Sequence, residues 1–192
     1  MTTTPTPRMT MLDAAQMTPA QRAAADELIA GPRKGVKGPF IALIRSPELM
    51  ARMGRVGEFL RFNSSLSPRV SEFATLIVAR AWSQQFEWFV HVPLALKAGT
   101  AQSVIDALRV GRQPVGMSDE EAFVHGYTTE LIAHRGVSDT TYRQAVERFG
   151  EAGVVELTSL IGYFAAVSMV LNVAHIPEEP NPQVEPLAPL PR

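Results

Sequence analysis

The signals that begin helices are the feature that most constrains how this chain folds. Thr18, Ser46 and Ser67 are each followed directly by a proline, and Ser118 is followed by three acidic residues. A Ser or Thr side chain accepts hydrogen bonds from the free N–H groups of a first helical turn, and proline suits the first helical position. The alternation of apolar and polar residues that is typical of strands is missing over any useful length. The sequence therefore predicts an all-α fold.

The predicted helices follow from these signals and from apolar residues at helical spacing. Thr100 is expected to cap a short helix, and Gly31, Gly99 and Gly136 are expected to end helices. The predicted segments are 22–29, 49–62, 70–82, a helix around Glu87 to Ala95 that contains Pro93, 101–109, 118–135, 138–149 and 154–173.

Composition excludes several classes of function. The chain has 192 residues and no cysteine, so disulfides, thiolate metal sites and cysteine nucleophiles are excluded. Its 18 Lys and Arg against 19 Asp and Glu give a net charge of -1, without the basic excess of a nucleic-acid-binding protein. We found no apolar run long enough for a membrane span and no secretory signal, and we expect a cytoplasmic protein.

Proline marks both ends of the chain. Residues 2–7 alternate threonine and proline, and residues 177–191 contain six prolines. Proline at this density favours extended polyproline II structure. We predict a flexible N-terminal tail at 1–16, a helical domain at 17–176 and a Pro-rich C-terminal tail at 177–192. The last segment suits either a disordered tail or a strap across a neighbouring subunit.

Glu87 and His91 are the strongest candidates for chemistry. The carboxylate precedes the imidazole by four residues and shares its helical face, where it favours the charged imidazole and can orient one ring nitrogen. Trp88 and Phe89 could supply an apolar wall beside the pair. The same spacing also suits a pair that only stabilises a helix. We expect the other histidines, His125, His134 and His175, to serve surface or helix-end roles.

The stretch from Glu72 to Gly99, EFATLIVARAWSQQFEWFVHVPLALKAG, resembles the carboxymuconolactone decarboxylase family, whose superfamily includes the alkylhydroperoxidase-D-like peroxidases. The resemblance covers about residues 43–108, and later segments look like the longer members. It implies an all-α, alkylhydroperoxidase-D-like helical bundle that is oligomeric, a homotrimer or homohexamer. Apolar residues on more than one face of the last helix fit a subunit interface: Phe164, Val167, Met169, Val170 and Leu171.

The resemblance also assigns site residues. The peroxidase branch has a glutamate, two cysteines and a histidine at positions that match Glu72, Gln84, Glu87 and His91. Glutamine and glutamate can neither attack a peroxide nor resolve the intermediate, so thiol peroxidase activity is disfavoured. The Glu87–His91 element is similar to the decarboxylase branch. It implies that His91 is the acid, that Glu87 orients it, and that Glu72 relays protons or contacts it.

The resemblance implies a cofactor-free site without a metal. The expected activity is that of a decarboxylase or lyase that acts on a small carboxylate or lactone from the breakdown of aromatic compounds. A proton-transfer isomerase or lactone hydrolase with the same pair, and an inactive oligomeric scaffold, remain alternatives. A substrate carboxylate calls for a basic residue, for which Arg80, Arg61 and Arg69 are candidates. The predicted pocket contains Gln84, Trp88 and Arg80, and no nucleic acid or membrane partner is expected.

Overall fold

A computed structural model describes residues 6–189. Within this range the regular secondary structure consists of helices, without a strand. The prediction of an all-α fold is therefore confirmed. After a short 3₁₀ helix, Ala14–Gln16, the elements are α1 Pro19–Ala30, α2 Pro39–Leu43, α3 Pro47–Phe62, α4 Pro68–Ala81, α5 Gln85–Lys97, α6 Gln102–Arg109, α7 Asp119–His134 and α8 Asp139–Ala174.

Serine or threonine side chains cap four of these helices. Thr18 accepts a hydrogen bond from the backbone N–H of Gln21, whose side chain accepts one from the backbone N–H of Thr18. Ser118 forms the same reciprocal box with Glu121. The hydroxyls of Ser67 and Ser138 cap α4 and α8. Each cap satisfies N–H groups that have no partner within the helix, which explains why these signals were readable from the sequence.

Three details predicted for the helix ends differ from the structure. Ser46 precedes α3, but its side chain makes no capping hydrogen bond. Ala101, and not Thr100, occupies the position before α6. Arg135 ends α7 in the left-handed region at φ 63°, where its N–H bonds to the Leu131 carbonyl, so Gly136 is not the stop. Arg135 thus adopts a backbone conformation that glycine adopts more easily.

The sequence predicts separate helices at 138–149 and 154–173. The structure agrees, because α8 consists of two helical stretches that meet at a kink, with non-helical backbone at Gly150 (φ 68°). The short helix α2 was not predicted, because only Pro39 at its first turn signals a start and no side chain caps it.

Helix α4 lies at the centre of the fold. Every residue from Val70 to Arg80 except Glu72 is buried. The helix packs against α5, α6, α7 and α8, while α1, α2 and α3 pack together beside them. Burial on nearly all sides agrees with its largely apolar sequence, because an amphipathic surface helix would carry a polar face. Glu72 therefore lies on a helix that is buried over most of its length.

Helix α8 supplies much of the remaining core. Within residues 6–189 it is the one helix that is long and apolar enough to cross a membrane, judged by length and composition. Phe164, Val167 and Leu171 are buried inside the chain, whereas Met169 is exposed. Packing within the protein thus accounts for most of the apolar surface from which a subunit interface was predicted, and the oligomer remains a prediction.

Residues 181–189, which we call the C-terminal strap, lie across the chain's own helices. The Trp88 indole N–H donates to the carbonyl of Glu185 at 2.9 Å. The Gln85 amide both donates to and accepts from the backbone of Leu187, each at 3.0 Å. The segment is therefore ordered on its own chain, whereas the sequence predicts a disordered tail or a strap on a neighbouring subunit. Its placement has a physical reason: side chains of α5 bond to backbone groups that a proline-rich segment cannot pair by itself.

We expect the strap to depend on Gln85. Gln85→Ala removes two hydrogen bonds and should lower the free energy of unfolding by about 1–2 kcal/mol. It should also speed hydrogen exchange at the Leu187 amide. Gln102→Ala is the matched control, because Gln102 is likewise the first residue of its helix but bonds only locally, to Asp106. Equal stability and equal exchange in the two variants would contradict this placement of the strap.

Candidate active site

The α4–α5 hairpin brings Glu72 to His91. Only residues 82–84 connect the two helices, and so short a connection makes them antiparallel neighbours. The Oε2 atom of Glu72 lies 2.5 Å from Nδ1 of His91, across the hairpin. The carboxylate thereby fixes the orientation of the imidazole.

Glu87 approaches the other side of the same ring. Its Oε2 atom lies 3.4 Å from Nε2 of His91, one helical turn along α5. The imidazole is only 2% exposed, and the Phe164 ring packs edge-on against it with 4.9 Å between the ring centroids. Glu72 is therefore the closer partner and the one that orients the ring, a role that spacing alone assigned to Glu87.

The protonation of His91 depends on these carboxylates. Burial by itself lowers the pKa of His91, because a charged imidazole loses its hydration. The negative charge of Glu72 and the hydrogen bonds to Glu72 and Glu87 outweigh this effect and the repulsion from Arg61, so the pKa of His91 is raised above its ordinary value. The site consequently holds a buried imidazole between two carboxylates that favour its charged form.

His91 and Glu87 line a cavity of about 260 Å³. Its apolar wall comes from α5 and α8: Phe86, Val90, Phe164 and Val167. Gly38, the residue before α2, allows this wall to form, because its φ is 54° and a Cβ at that position would collide with the Phe86 ring. The cavity is of the concave, mostly apolar kind that binds small molecules.

Three cations and a phenol complete the lining: Arg33, Lys37, Arg61 and Tyr163. Burial and then the nearby charge of Arg33 lower the pKa of Arg61. Burial raises the pKa of Tyr163, because it disfavours the charged phenolate, and the hydroxyl keeps its proton at neutral pH. Acid/base groups and positive charge thus meet in one cavity that is partly open to solvent.

Comparison with known protein families agrees with this geometry. A model described as the carboxymuconolactone decarboxylase family matches residues 47–130 of the chain. This confirms the family resemblance. No curated protein matches the chain significantly.

The carboxymuconolactone decarboxylase match divides the site into two parts. Arg61, Glu72, Glu87 and His91 lie inside the matched residues, and so the acid/base groups and one cation belong to the family segment. Arg33, Lys37 and Tyr163 lie outside it, on the α1–α2 loop and on α8. The matched segment alone therefore does not enclose the cavity.

Arg80 was predicted in the pocket, and the structure corrects this. Its guanidinium donates to the carbonyls of Arg109 and Ala188 at 2.9 and 2.6 Å and to the Ser83 hydroxyl at 2.8 Å. Arg69 is also engaged elsewhere, in an ion pair of 3.0 Å with the buried Glu121. Of the three arginines proposed from the sequence, Arg61 is the one that lines the cavity.

Trp88 and Gln84 were also predicted in the pocket and lie outside it. Trp88 is fully buried in the main core, where its indole N–H bonds to the strap. The Gln84 side chain caps α5 at Phe86 N–H and bonds to the Asn172 amide. Both residues therefore support the fold of the hairpin.

Sequence reasoning missed Arg33, Lys37 and Tyr163. None stands in a motif, and Arg33 and Tyr163 are 130 residues apart in the chain. The glycines of the segment GPRKGVKG, residues 31–38, are typical of a loop, but they do not indicate that it faces the histidine. No local signal could have found these side chains.

The remaining histidines do not join the site. His134 is exposed, and His125 and His175 are half-buried on other parts of α7 and α8. Within the residues that the structure describes, no cluster of three or more potential ligands could hold a metal ion. Glu72 and Glu87 approach opposite nitrogens of His91 and do not converge on one point.

We expect the stability of the protein to depend on pH through His91. A raised folded-state pKa means that the stabilisation is complete below the unfolded value of about 6.5 and is lost as the pH rises through the folded value. The free energy of unfolding, measured by urea denaturation at several pH values, should show this loss in the wild type and in His134→Gln. It should be absent in His91→Gln. Equal slopes in all three proteins would contradict the raised pKa.

Proposed function

We propose that this protein is a cofactor-independent acid/base enzyme similar to carboxymuconolactone decarboxylase. Its substrate would be a small cyclic or unsaturated carboxylic acid or lactone from the breakdown of aromatic compounds. One observation carries the proposal: a buried imidazole lies between two carboxylates at the wall of a cavity. Such an arrangement provides a positioned proton donor, the requirement for general acid catalysis. We further propose a cytoplasmic homotrimer or homohexamer.

Each group in the site has a proposed role. Glu72 is a positioning residue, because it holds Nδ1 of His91 and keeps the ring charged. His91 is the acid, with Nε2 on the side of Glu87. Glu87 restores the proton to His91 after each cycle or accepts a proton from the substrate.

In the decarboxylation that we propose, the bond between a ring carbon and a carboxylate carbon breaks and carbon dioxide leaves. The electron pair remains on the conjugated lactone as a dienolate. His91 then donates a proton to carbon, and water returns a proton to His91 by way of Glu87. A guanidinium that binds a carboxylate stabilises its charge and so opposes its loss. The leaving carboxylate is therefore expected against the apolar wall of Phe86 and Phe164.

The size of the cavity limits the substrate. A volume of about 260 Å³ lies just below the range of about 300–1,000 Å³ that is usual for small-molecule pockets. A substrate with a single substituted ring suits a pocket of this size. This agrees with a small lactone or unsaturated acid.

A second function is favoured by the position of Glu87. A charged imidazole and a carboxylate 3.4 Å apart at one cavity can remove a proton from one carbon and deliver one to another. An isomerase would use this pair without loss of carbon dioxide, and a lactone hydrolase would use it to activate water. Release of carbon dioxide separates the decarboxylase from both.

We expect His91→Ala to lower turnover by about 10²–10⁴-fold, which is the usual contribution of a general acid. A panel of unsaturated lactone carboxylates would be screened with the wild type for carbon dioxide release, ring opening and solvent deuterium uptake. The variant would then be assayed on the best substrate, with thermal melts to establish folding. His134→Ala is the control, because His134 is exposed on α7. A folded His91→Ala protein with wild-type turnover would eliminate the mechanism and favour a scaffold.

We expect Glu72→Gln to change the pH dependence of turnover more than Glu87→Gln. Loss of the closer carboxylate lowers the pKa of His91 further, so the imidazole loses its proton at a lower pH. The basic limb of the kcat profile should move to lower pH in Glu72→Gln and by a smaller amount in Glu87→Gln. Glu120→Gln, an exposed change on α7, should leave the profile unchanged. An unmoved limb in Glu72→Gln would refute its positioning role.

A further inference from the structure

The cavity contains hydrogen-bond donors that have no acceptor in the protein. Within residues 6–189 the Arg61 side chain makes no hydrogen bond or ion pair, although its Nε atom is fully buried. The Nε atom of Arg33 is likewise buried without a partner. Tyr163 accepts a hydrogen bond from Arg33 at 3.4 Å, and its own O–H reaches no acceptor among these residues. Buried polar groups are nearly always paired with protein, ordered water or a ligand, so these donors are available to an acceptor that enters the cavity.

The backbone makes room for this group of donors. A Cβ at Gly57 of α3 would collide with the Tyr163 hydroxyl and with the Arg33 guanidinium. Gly57 lies in regular helix, where glycine costs about 1 kcal/mol relative to alanine. The missing side chain therefore has a steric reason. It allows Arg33 and Tyr163 to approach α3, the helix that carries Arg61.

We propose that Arg33, Arg61 and Tyr163 form a carboxylate-binding subsite that anchors the substrate beside His91. That the bound carboxylate belongs to a substrate rests on the proposed function. The binding of an anion at the subsite does not rest on it, because binding requires no turnover.

A carboxylate fits the subsite in charge and in shape. Its two oxygens offer about four acceptor positions, which suit guanidinium N–H groups and a phenolic O–H. Its negative charge also offsets the repulsion between Arg33 and Arg61. Both Arg33 and Tyr163 come from segments outside the matched residues 47–130, and so the subsite would give this chain its own substrate preference.

Benzoate and benzamide provide a direct test with the full-length protein. They have the same size, and benzoate alone carries a charge. In titration calorimetry we expect benzoate to bind and benzamide to bind at least tenfold more weakly. Arg33→Met and Arg61→Met should each weaken benzoate binding by roughly 10- to 100-fold, as expected for lost hydrogen bonds to a charged group. Arg52→Met should bind as the wild type does, because Arg52 is exposed on α3 and pairs with Glu48.

A second pair of variants tests the space around the subsite. Gly57→Ala should weaken benzoate binding, since the new methyl group displaces Arg33 and Tyr163. Gly54→Ala is its matched control on the same helix, because a Cβ there makes only ordinary contacts of 3.7 Å and 3.9 Å with Leu28 and Phe40. These two variants and the benzoate–benzamide comparison decide the matter even where an arginine variant fails to fold.

The outcomes separate this proposal from the proposed function. His91→Gln should retain benzoate binding while turnover is lost. Arginine-dependent binding without turnover of any substrate would support the subsite and contradict the enzyme. If the wild type turns over a substrate but the folded Arg33 and Arg61 variants bind benzoate as tightly as the wild type does, the subsite alone is overturned. Equal binding of benzoate and benzamide would also overturn it.

Discussion

The site depends on one buried contact, between Glu72 of α4 and His91 of α5. Removal of a carboxylate and an imidazole from water costs several kcal/mol, which their attraction offsets only in good geometry. The short connection between α4 and α5 provides that geometry, and the burial of α4 on almost every side keeps it rigid. Because Nδ1 is held by Glu72, Nε2 is the nitrogen left for chemistry. The proposed direction of proton transfer follows from this contact.

A second constraint is the positive charge in the cavity. Arg61 is partly buried and forms no ion pair with a described residue, and the charges of Glu72 and Glu87 offset only part of the cost that its burial imposes on the free protein. Proteins accept such costs where a ligand supplies the missing partner. The apolar wall and the cations then have separate tasks. We expect the cations to bind a carboxylate that the substrate keeps, and the apolar wall to contact the carboxylate that leaves as carbon dioxide.

The C-terminal strap explains why two predicted pocket residues serve another purpose. Proline-rich backbone has few N–H groups but retains its carbonyls, which need donors. Trp88 and Arg80 supply those donors to Glu185 and Ala188. Adjacent residues of α5 thus have different roles: Glu87 lines the cavity and Trp88 holds the strap. Residue type alone could not distinguish them, since tryptophan and arginine are as suitable for a pocket as for a strap.

Some properties of this protein could be read from the sequence by itself. The helices and most of their caps were predictable, because a cap and a helical period act over three or four residues. The Glu87–His91 pair was visible for the same reason, and the resemblance added Glu72. The tertiary structure alone decided that Glu72 is the closer carboxylate, that Arg61 faces the cavity and that Arg33 and Tyr163 join it. These groups come from five helices or loops, and only the packing of those elements determines their distances.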